Sequence, residues 1–364
     1  MKHLLAVSLL VLSGGFAAEK AIVSPEVLAD RRVTFRIEAP NARAVALKGD
    51  WQADAFPMAR RDDGVWSVTV GPLAPATYIY SFTVDGVALA DPVNPKIKLR
   101  MRGSGSLVDV PAAEPGLADA RDVPHGAVEL NWQKSSVLGD TRAIWVYTPP
   151  GYAADAARRY PVLYLLHGSN DRPAGWIDVG AANFIADNLL AAHKAAPMII
   201  VMPVGHALPF GEPATPPRTN VAVFEDYLLR DVIPFIEGKY RIATDRRAHA
   251  VAGMSMGGEQ ALRIFCNHLD RFASAGIFSL GGAAPAEKDH PELFADGHAA
   301  ATNARIDVLW LGCGRQDPGF ARSEQTDKFF TAHGIRHTWV PSEGAHNYAL
   351  WRQHVMQFLP LLFR

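Results

Sequence analysis

Residues 248–262 read AHAVAGMSMGGEQAL, an apolar run joined to a helix-forming run through a glycine-rich turn with Ser255 at its centre. An apolar strand (Ala248 to Ala252), then Gly253-Met254-Ser255-Met256-Gly257-Gly258, then a helical run is the context a nucleophile elbow requires. The small residues permit a turn so tight that the serine side chain stands clear of the sheet top, at the positive end of the following helix. Gly257 and Gly258 leave room for close backbone approach. Without its flanks, G-x-S-x-G would be a weak signal; with them, a plain Gly-rich turn is the lesser reading.

Working outward, further apolar runs occur at Ile144 to Val146, Val162 to Leu166, Met198 to Met202, Ala275 to Phe278 and Val308 to Leu311, separated by longer helical segments. Near-continuous apolar strands alternating with helices predict an α/β fold whose mostly parallel sheet is covered on both faces, the α/β-hydrolase fold. Phe224, Leu228, Val232 and Phe235 recur at helical spacing and predict one cover helix over Val221 to Ile236.

A serine needs a base, and the base an orienting acid. In this fold the chain order is Ser, then Asp or Glu, then His. Asp317 follows the run Ile306 to Leu311 in GCGRQDP, on the loop where the acid is expected. Asp307 lies in or before that strand, Glu324 on the following helix, and Glu343 close in sequence to the histidine. An ordinary loop Asp capping the next helix is the alternative for Asp317. His346 follows the last predicted strand, Thr338-Trp339-Val340, and precedes a helix over Tyr348 to Phe358, which selects it over His333, His337 and His354. The developing oxyanion needs amide donors. The expected ones are the N–H of Met256, next to the nucleophile, and that of Ser169, in the turn after YPVLYLL. His167 is then a structural residue of that turn. Nothing resembles a metal-ligand cluster or a phosphate-cradling loop, so no cofactor is expected.

Residues 25–110 have another texture. Val33 to Ile37, Trp66 to Val70 and Tyr78 to Val84 alternate apolar with polar, and Asp63-Gly64 and Asp85-Gly86 are hairpin turns, which together predict a small immunoglobulin-like β-sandwich. Residues 111–124, rich in Pro, Ala and acidic side chains, read as a linker, leaving 125–364 for the hydrolase part. Trp66 is expected in the sandwich core, whereas Trp51, at a turn, is the candidate for an exposed sugar-stacking ring, with packing of the module on the catalytic domain an equal alternative to glycan binding.

The 364 residues carry 36 Lys+Arg against 37 Asp+Glu, a formal charge of −1, with 49% hydrophobic and 20% charged residues. That is a globular composition, and it argues against partners recognised by charge alone, namely nucleic acid or an anionic membrane. Residues 1–18 (a basic start, the apolar run Leu4 to Leu12, then Ala17-Ala18) read as a secretory signal peptide, giving a secreted or periplasmic protein with no membrane insertion after cleavage. The two cysteines, Cys266 and Cys313, exclude a disulfide scaffold. They could pair after export, but their apolar settings favour two buried free thiols.

The stretches VYTPPGY, YLLHGSNDRPAGW, MIIVMPVG, RAHAVAGMSMGG, GCGRQD and GAHNYALW resemble carbohydrate esterase family 1, which contains feruloyl esterases and some acetylxylan esterases. EAPNARAVALKGDW, DDGVWSVTVGPLAPATYIYSFTVDG and DPVNP resemble a family 48 carbohydrate-binding module. The resemblance implies Ser255, Asp317 and His346 as a catalytic triad with oxyanion amides at Ser169 and Met256, and an exported serine esterase acting on feruloyl or acetyl esters of xylan or arabinoxylan. Its partner would be an esterified plant polysaccharide or oligosaccharide. Trp176 matches a tryptophan near the active-site loop of the family, with core packing an equal alternative. Asn347-Tyr348 stands where relatives often have an acidic residue and Trp, and HALPFGEPATPPR (206–218) is expected to form one pocket wall. Two rival readings are an esterase of siderophore trilactones, enterochelin-type, and a carbohydrate-binding protein without activity.

Overall fold

The computed structural model describes residues 21–211, 215 and 219–364. The signal-peptide reading of residues 1–18 and residues 212–214 and 216–218 of the 206–218 wall therefore lie outside the described residues. Ten strands come first: Glu26–Val27 (β1), Val33–Glu38 (β2), Val45–Gly49 (β3), Phe56–Pro57 (β4), Ala59–Arg60 (β5), Val65–Val70 (β6), Ala76–Val84 (β7), Val87–Leu89 (β8), Ile97–Leu99 (β9) and Ser104–Val110 (β10). They form two sheets, β1-β2-β6-β5 and β4-β3-β7-β10-β9 with β8 on β7, all antiparallel. The predicted alternation fills the space between them: Phe35 and Ile37 from β2 meet Leu47, Tyr78, Tyr80 and Phe82. Residues of β7 and β10 on the opposite face, Ile79 and Leu107, belong instead to a core of the second half of the chain. A strand with two apolar faces is thus what seats the sandwich on its neighbour.

Trp66 lies in the sandwich core as expected, its indole N–H donating to the Ala39 carbonyl (2.9 Å). Trp51 does not stand free. Its ring lies over Gly49, stacks on Phe35 (centroids 5.7 Å) and meets Tyr78 edge-on, so the face required for sugar stacking is spent on packing. Gly49 allows this, because a Cβ there would fall 2.2 Å from the indole.

Eight more strands build one sheet: Ala127–Lys134 (β11), Thr141–Thr148 (β12), Val162–Leu166 (β13), Ile199–Pro203 (β14), His249–Ser255 (β15), Ser274–Leu280 (β16), Val308–Gly314 (β17) and Thr338–Ser342 (β18). Their order is β11-β12-β14-β13-β15-β16-β17-β18, parallel from β14 onward and antiparallel at β11 and β12. The continuous apolar strands serve both faces. Val162, Tyr164 and Leu166 enter one core, while Leu163 and Leu165 enter the other. This is an α/β-hydrolase fold preceded by a small β-sandwich.

Two details depart from the sequence reading. The cover helix is two helices, Asn220–Tyr227 and Ile233–Lys239, joined by a π-helical turn at Leu228–Val232. Pro234 lacks the N–H that a regular ladder needs, and the wider turn accommodates it. Strand β11 escaped notice because its apolar side faces out: Val128, Leu130 and Trp132 are exposed, while Asn131 on the other side is buried against Tyr240. Residues 111–124 carry no regular structure but are not loose. Asn188 Nδ2 donates to the carbonyls of Leu117 and Asp119 (both 2.9 Å). Just beyond, Asp187 accepts from Gly126 N–H (3.0 Å) and Tyr147 O–H (2.6 Å) and pairs with His125 (2.9 Å).

Candidate active site

Ser255 ends β15 and opens the helix Met256–Asn267, at φ 54° and ψ −120°. A non-glycine residue there carries backbone strain. The strain is held by close approaches: a Cβ on Gly257 would lie 2.5 Å from the Leu166 carbonyl oxygen, and one on Gly253 would lie 2.4 Å from that of Gly257. The helix start is therefore pressed onto the β13 end, and a Cβ on Gly168 would lie 3.4 Å from the Cβ of Ser255.

Asp317 follows β17 and His346 follows β18, the strands beyond β16 at the same sheet end. The Asp317 carboxylate is buried. Its Oδ2 pairs with His346 Nδ1 at 2.8 Å and its Oδ1 accepts from Gly319 N–H at 2.7 Å. Burial pushes this carboxyl up, but the hydrogen bond and charge of His346 and the Gly319 amide outweigh it and hold Asp317 below the usual carboxylate range. The two loops are stitched together by residues the sequence reading passed over. Gln316 N–H donates to the Gly344 carbonyl (3.1 Å), Gly344 N–H to Gln316 Oε1 (2.6 Å), and Gln316 Nε2 to Glu343 (2.7 Å). The signal for Gln316 was its place inside GCGRQD, directly before the acid. No hydrogen bond joins Ser255 Oγ to His346 among the described residues; catalytic contacts of this kind commonly tighten only around substrate.

Met256 is the first helical residue, so its N–H lies outside the intrahelical ladder. The Ser169 N–H likewise has no acceptor among the described residues. His167 is buried and neutral: it accepts the Gly205 N–H at Nε2 (2.8 Å), which leaves Nδ1 to donate to the Gly168 carbonyl (2.8 Å). Burial lowers its pKa, as fits a structural residue of the turn. Trp176 is a correction. It is wholly buried, edge-on to Phe278 and to Tyr348, and reaches no surface where substrate could sit. Cys266 and Cys313 are buried free thiols, and burial pushes Cys266 up to about 12 and Cys313 to about 11.

Beside His346 opens a cavity of about 160 Å³, walled by Ser169, Asn347 and Trp351 and, from the sandwich, by Asp50, Ile79 and Arg100. Asn347 caps the helix Tyr348–Phe358 and also donates to the Asp50 carbonyl (3.0 Å). The carboxyl of Asp50 accepts from Ile79 N–H (3.0 Å), yet burial pushes it up to about 7. Folding therefore favours the protonated form. The stability this gives is full at pH below the unfolded value of about 4 and is lost as pH rises through about 7. Asp50→Asn keeps the acceptor without the charge. Its thermal midpoint relative to the parent is expected to climb between pH 5 and pH 8, measured by melts across that range.

A family model described as "Putative esterase" matches residues 135–362, and one for carbohydrate-binding module 48 (isoamylase N-terminal domain) matches residues 21–99. The chain belongs to this esterase family. The esterase is 29% identical over 351 residues to an endo-1,4-beta-xylanase/feruloyl esterase of Xylanibacter ruminicola, covering 93% of this chain and 46% of the relative. It is 34% identical over 150 residues to an esterase of Mycobacterium tuberculosis, covering 40% and 30%. The chain thus spans less than half the length of these curated relatives. Among solved structures, a ferulic acid esterase superposes with a TM-score of 0.57 at 26% identity, over 65% of this esterase and 97% of that chain. The enterochelin esterase of Shigella flexneri superposes with a TM-score of 0.65 at 18% identity, over 92% and 94%, and shares the fold. Among the described residues, no helix is long and apolar enough to cross a membrane, and no cluster of His, Cys, Asp and Glu could hold a metal.

Proposed function

We propose that this esterase is an exported serine hydrolase that removes feruloyl, or acetyl, groups from plant cell-wall xylan and arabinoxylan. The observation that carries the mechanism is the pairing of a strained Ser255 at the β15 end with the Asp317–His346 hydrogen bond two and three strands along the same sheet end. Ser255 Oγ attacks the ester carbonyl while His346 Nε2 takes its proton, with Asp317 holding the ring through Nδ1. The tetrahedral oxyanion is stabilised by the amides of Met256 and Ser169. Collapse expels the sugar alcohol, protonated by His346, and leaves an acyl-enzyme. Water, deprotonated by His346, then releases the acid. The name of the Xylanibacter relative supports the substrate class. Export follows from the reading of residues 1–18.

The full-length superposition on enterochelin esterase, sandwich included, favours a siderophore trilactone as the second reading. A panel of feruloylated arabinoxylan oligosaccharide, methyl ferulate, nitrophenyl acetate and a catecholate trilactone separates them. Expected is a kcat/KM at least tenfold higher on the feruloylated oligosaccharide than on the trilactone. The reverse order transfers the protein to siderophore chemistry, and xylan affinity without turnover of any ester leaves a binding protein.

A further inference from the structure

Lys98 belongs to β9 of the sandwich, yet its side chain is only 1% exposed and is ion-paired with Asp171 of the hydrolase domain. Tyr348 O–H donates to the other oxygen of that carboxylate (2.6 Å), and the ammonium lies over the Tyr348 ring. Gly175 leaves the room, since a Cβ there would strike Lys98 Nζ, the Tyr348 hydroxyl and Asp171 together. Asp178 and Arg100 also act on this ammonium. Burial lowers its pKa most, and Asp171 and Asp178 oppose that.

Asp171 closes the turn that carries Ser169. Its own N–H donates back to the Gly168 carbonyl (3.2 Å), and Asn170, between them, sits at φ 58°. The segment after β9 grips this same Asn170: Met101 N–H donates to its carbonyl (3.2 Å) and Arg102 N–H to its Oδ1 (2.8 Å). The two residues after the Ser169 amide are therefore fixed from the sandwich side. A buried ion pair is a poor source of stability, because desolvation offsets most of the attraction. What it supplies is direction, and an amide displaced by a fraction of an ångström stabilises an oxyanion poorly.

We infer that Lys98 is a positioning residue: through Asp171 it sets the Ser169 amide, so that the sandwich completes the oxyanion site of the esterase. This rests on the reading of Ser255 and Ser169 given above. The test uses the full chain with nitrophenyl acetate, comparing the parent, Lys98→Met and Ser255→Ala. It also measures affinity for a boronic acid, which forms a tetrahedral adduct on serine, and for the carboxylate product, which does not. Lys98→Met is expected to lower kcat by roughly 10- to 100-fold, somewhat less than deleting an oxyanion donor outright. KM and product affinity should stay within about twofold, and boronate affinity should fall in parallel with kcat/KM. An unchanged kcat overturns the inference, and so does a loss shared equally by product affinity. If Lys98→Met does not fold, Asn170→Gly decides, because it keeps the positive φ and removes the side chain that accepts the Arg102 N–H and donates to the Arg102 carbonyl, loosening the same turn from the sandwich side; the same split is expected and the same outcomes overturn it. Hydrolysis retained by Ser255→Ala would refute the underlying mechanism instead, whatever Lys98→Met does.

Discussion

Ser255→Ala is expected to lower kcat on nitrophenyl acetate or methyl ferulate by roughly four to six orders of magnitude, leaving KM nearly unchanged. On the proposed mechanism the size follows from removing the nucleophile while keeping the amides of Met256 and Ser169, which would sustain a small residual rate on their own. Asp317→Asn is expected to cost about four orders of magnitude with the fold intact. Its Oδ1 already accepts the Gly319 N–H, so the side chain keeps its orientation. The amide nitrogen then faces His346 Nδ1 in place of the carboxylate oxygen and favours the tautomer that cannot accept the serine proton at Nε2. Steady-state kinetics on both variants, with circular dichroism to confirm folding, checks the pair. Activity within tenfold of the parent in Ser255→Ala would remove the mechanism altogether.

Gly257→Ala should damage both stability and rate. The new methyl would lie 2.5 Å from the Leu166 carbonyl oxygen and 2.7 Å from that of His167, both backbone atoms that no rotamer change can move aside. The helix start must lift from the β13 end, at about 1–3 kcal/mol for overpacking of this kind. A drop in thermal midpoint of roughly 3–10 °C follows for a domain of this size. Lifting the helix also moves the Met256 amide away from the turn that presents Ser169, so kcat should fall at least tenfold. Gly238→Ala is the control. Nothing lies within 4 Å of a Cβ there, and a helical glycine replaced by alanine gains about 0.5–1 kcal/mol. Equal melting of the two variants would show that the close approach at Gly257 is not needed.

Ser255, Asp317 and His346 could be read from the chain because each sits at a strand end, and the strands announce themselves as apolar runs in the order in which this fold uses them. The amide proposed at Ser169 was placed by the same reasoning, in the turn after β13. What holds those residues was not legible. Lys98 lies between Ile97 and Leu99, so strand alternation assigns it to solvent; it does point out of the sandwich, but into the neighbouring domain, 73 residues from its partner in sequence. Asp50 carried no signal of its own in the sequence, because what packs on it includes Asn347, which donates to its carbonyl from 297 residues away. Trp51 and Trp176 were left open between a sugar face and packing, and in both the structure shows packing. An aromatic side chain is equally suited to a sugar face or a packed core, and here Phe35 claims one ring while Phe278 and Tyr348 claim the other. Strand β11 was hidden because the usual rule of apolar-inward alternation is inverted at this sheet edge.

The ammonium buried between the two halves also bears on how this protein can be rebuilt. An uncharged side chain at position 98 would leave Asp171 with only the Tyr348 hydroxyl and nearby amides, while a foreign sandwich with its own fold intact would bring no cation to that depth unless one stood at the same strand position. Grafting the front half of a relative onto this hydrolase therefore requires the lysine, the segment behind it and the Asn170-Asp171 turn to travel together. Chimaeras joined within residues 111–124 should be judged by that match rather than by the length of the joining segment.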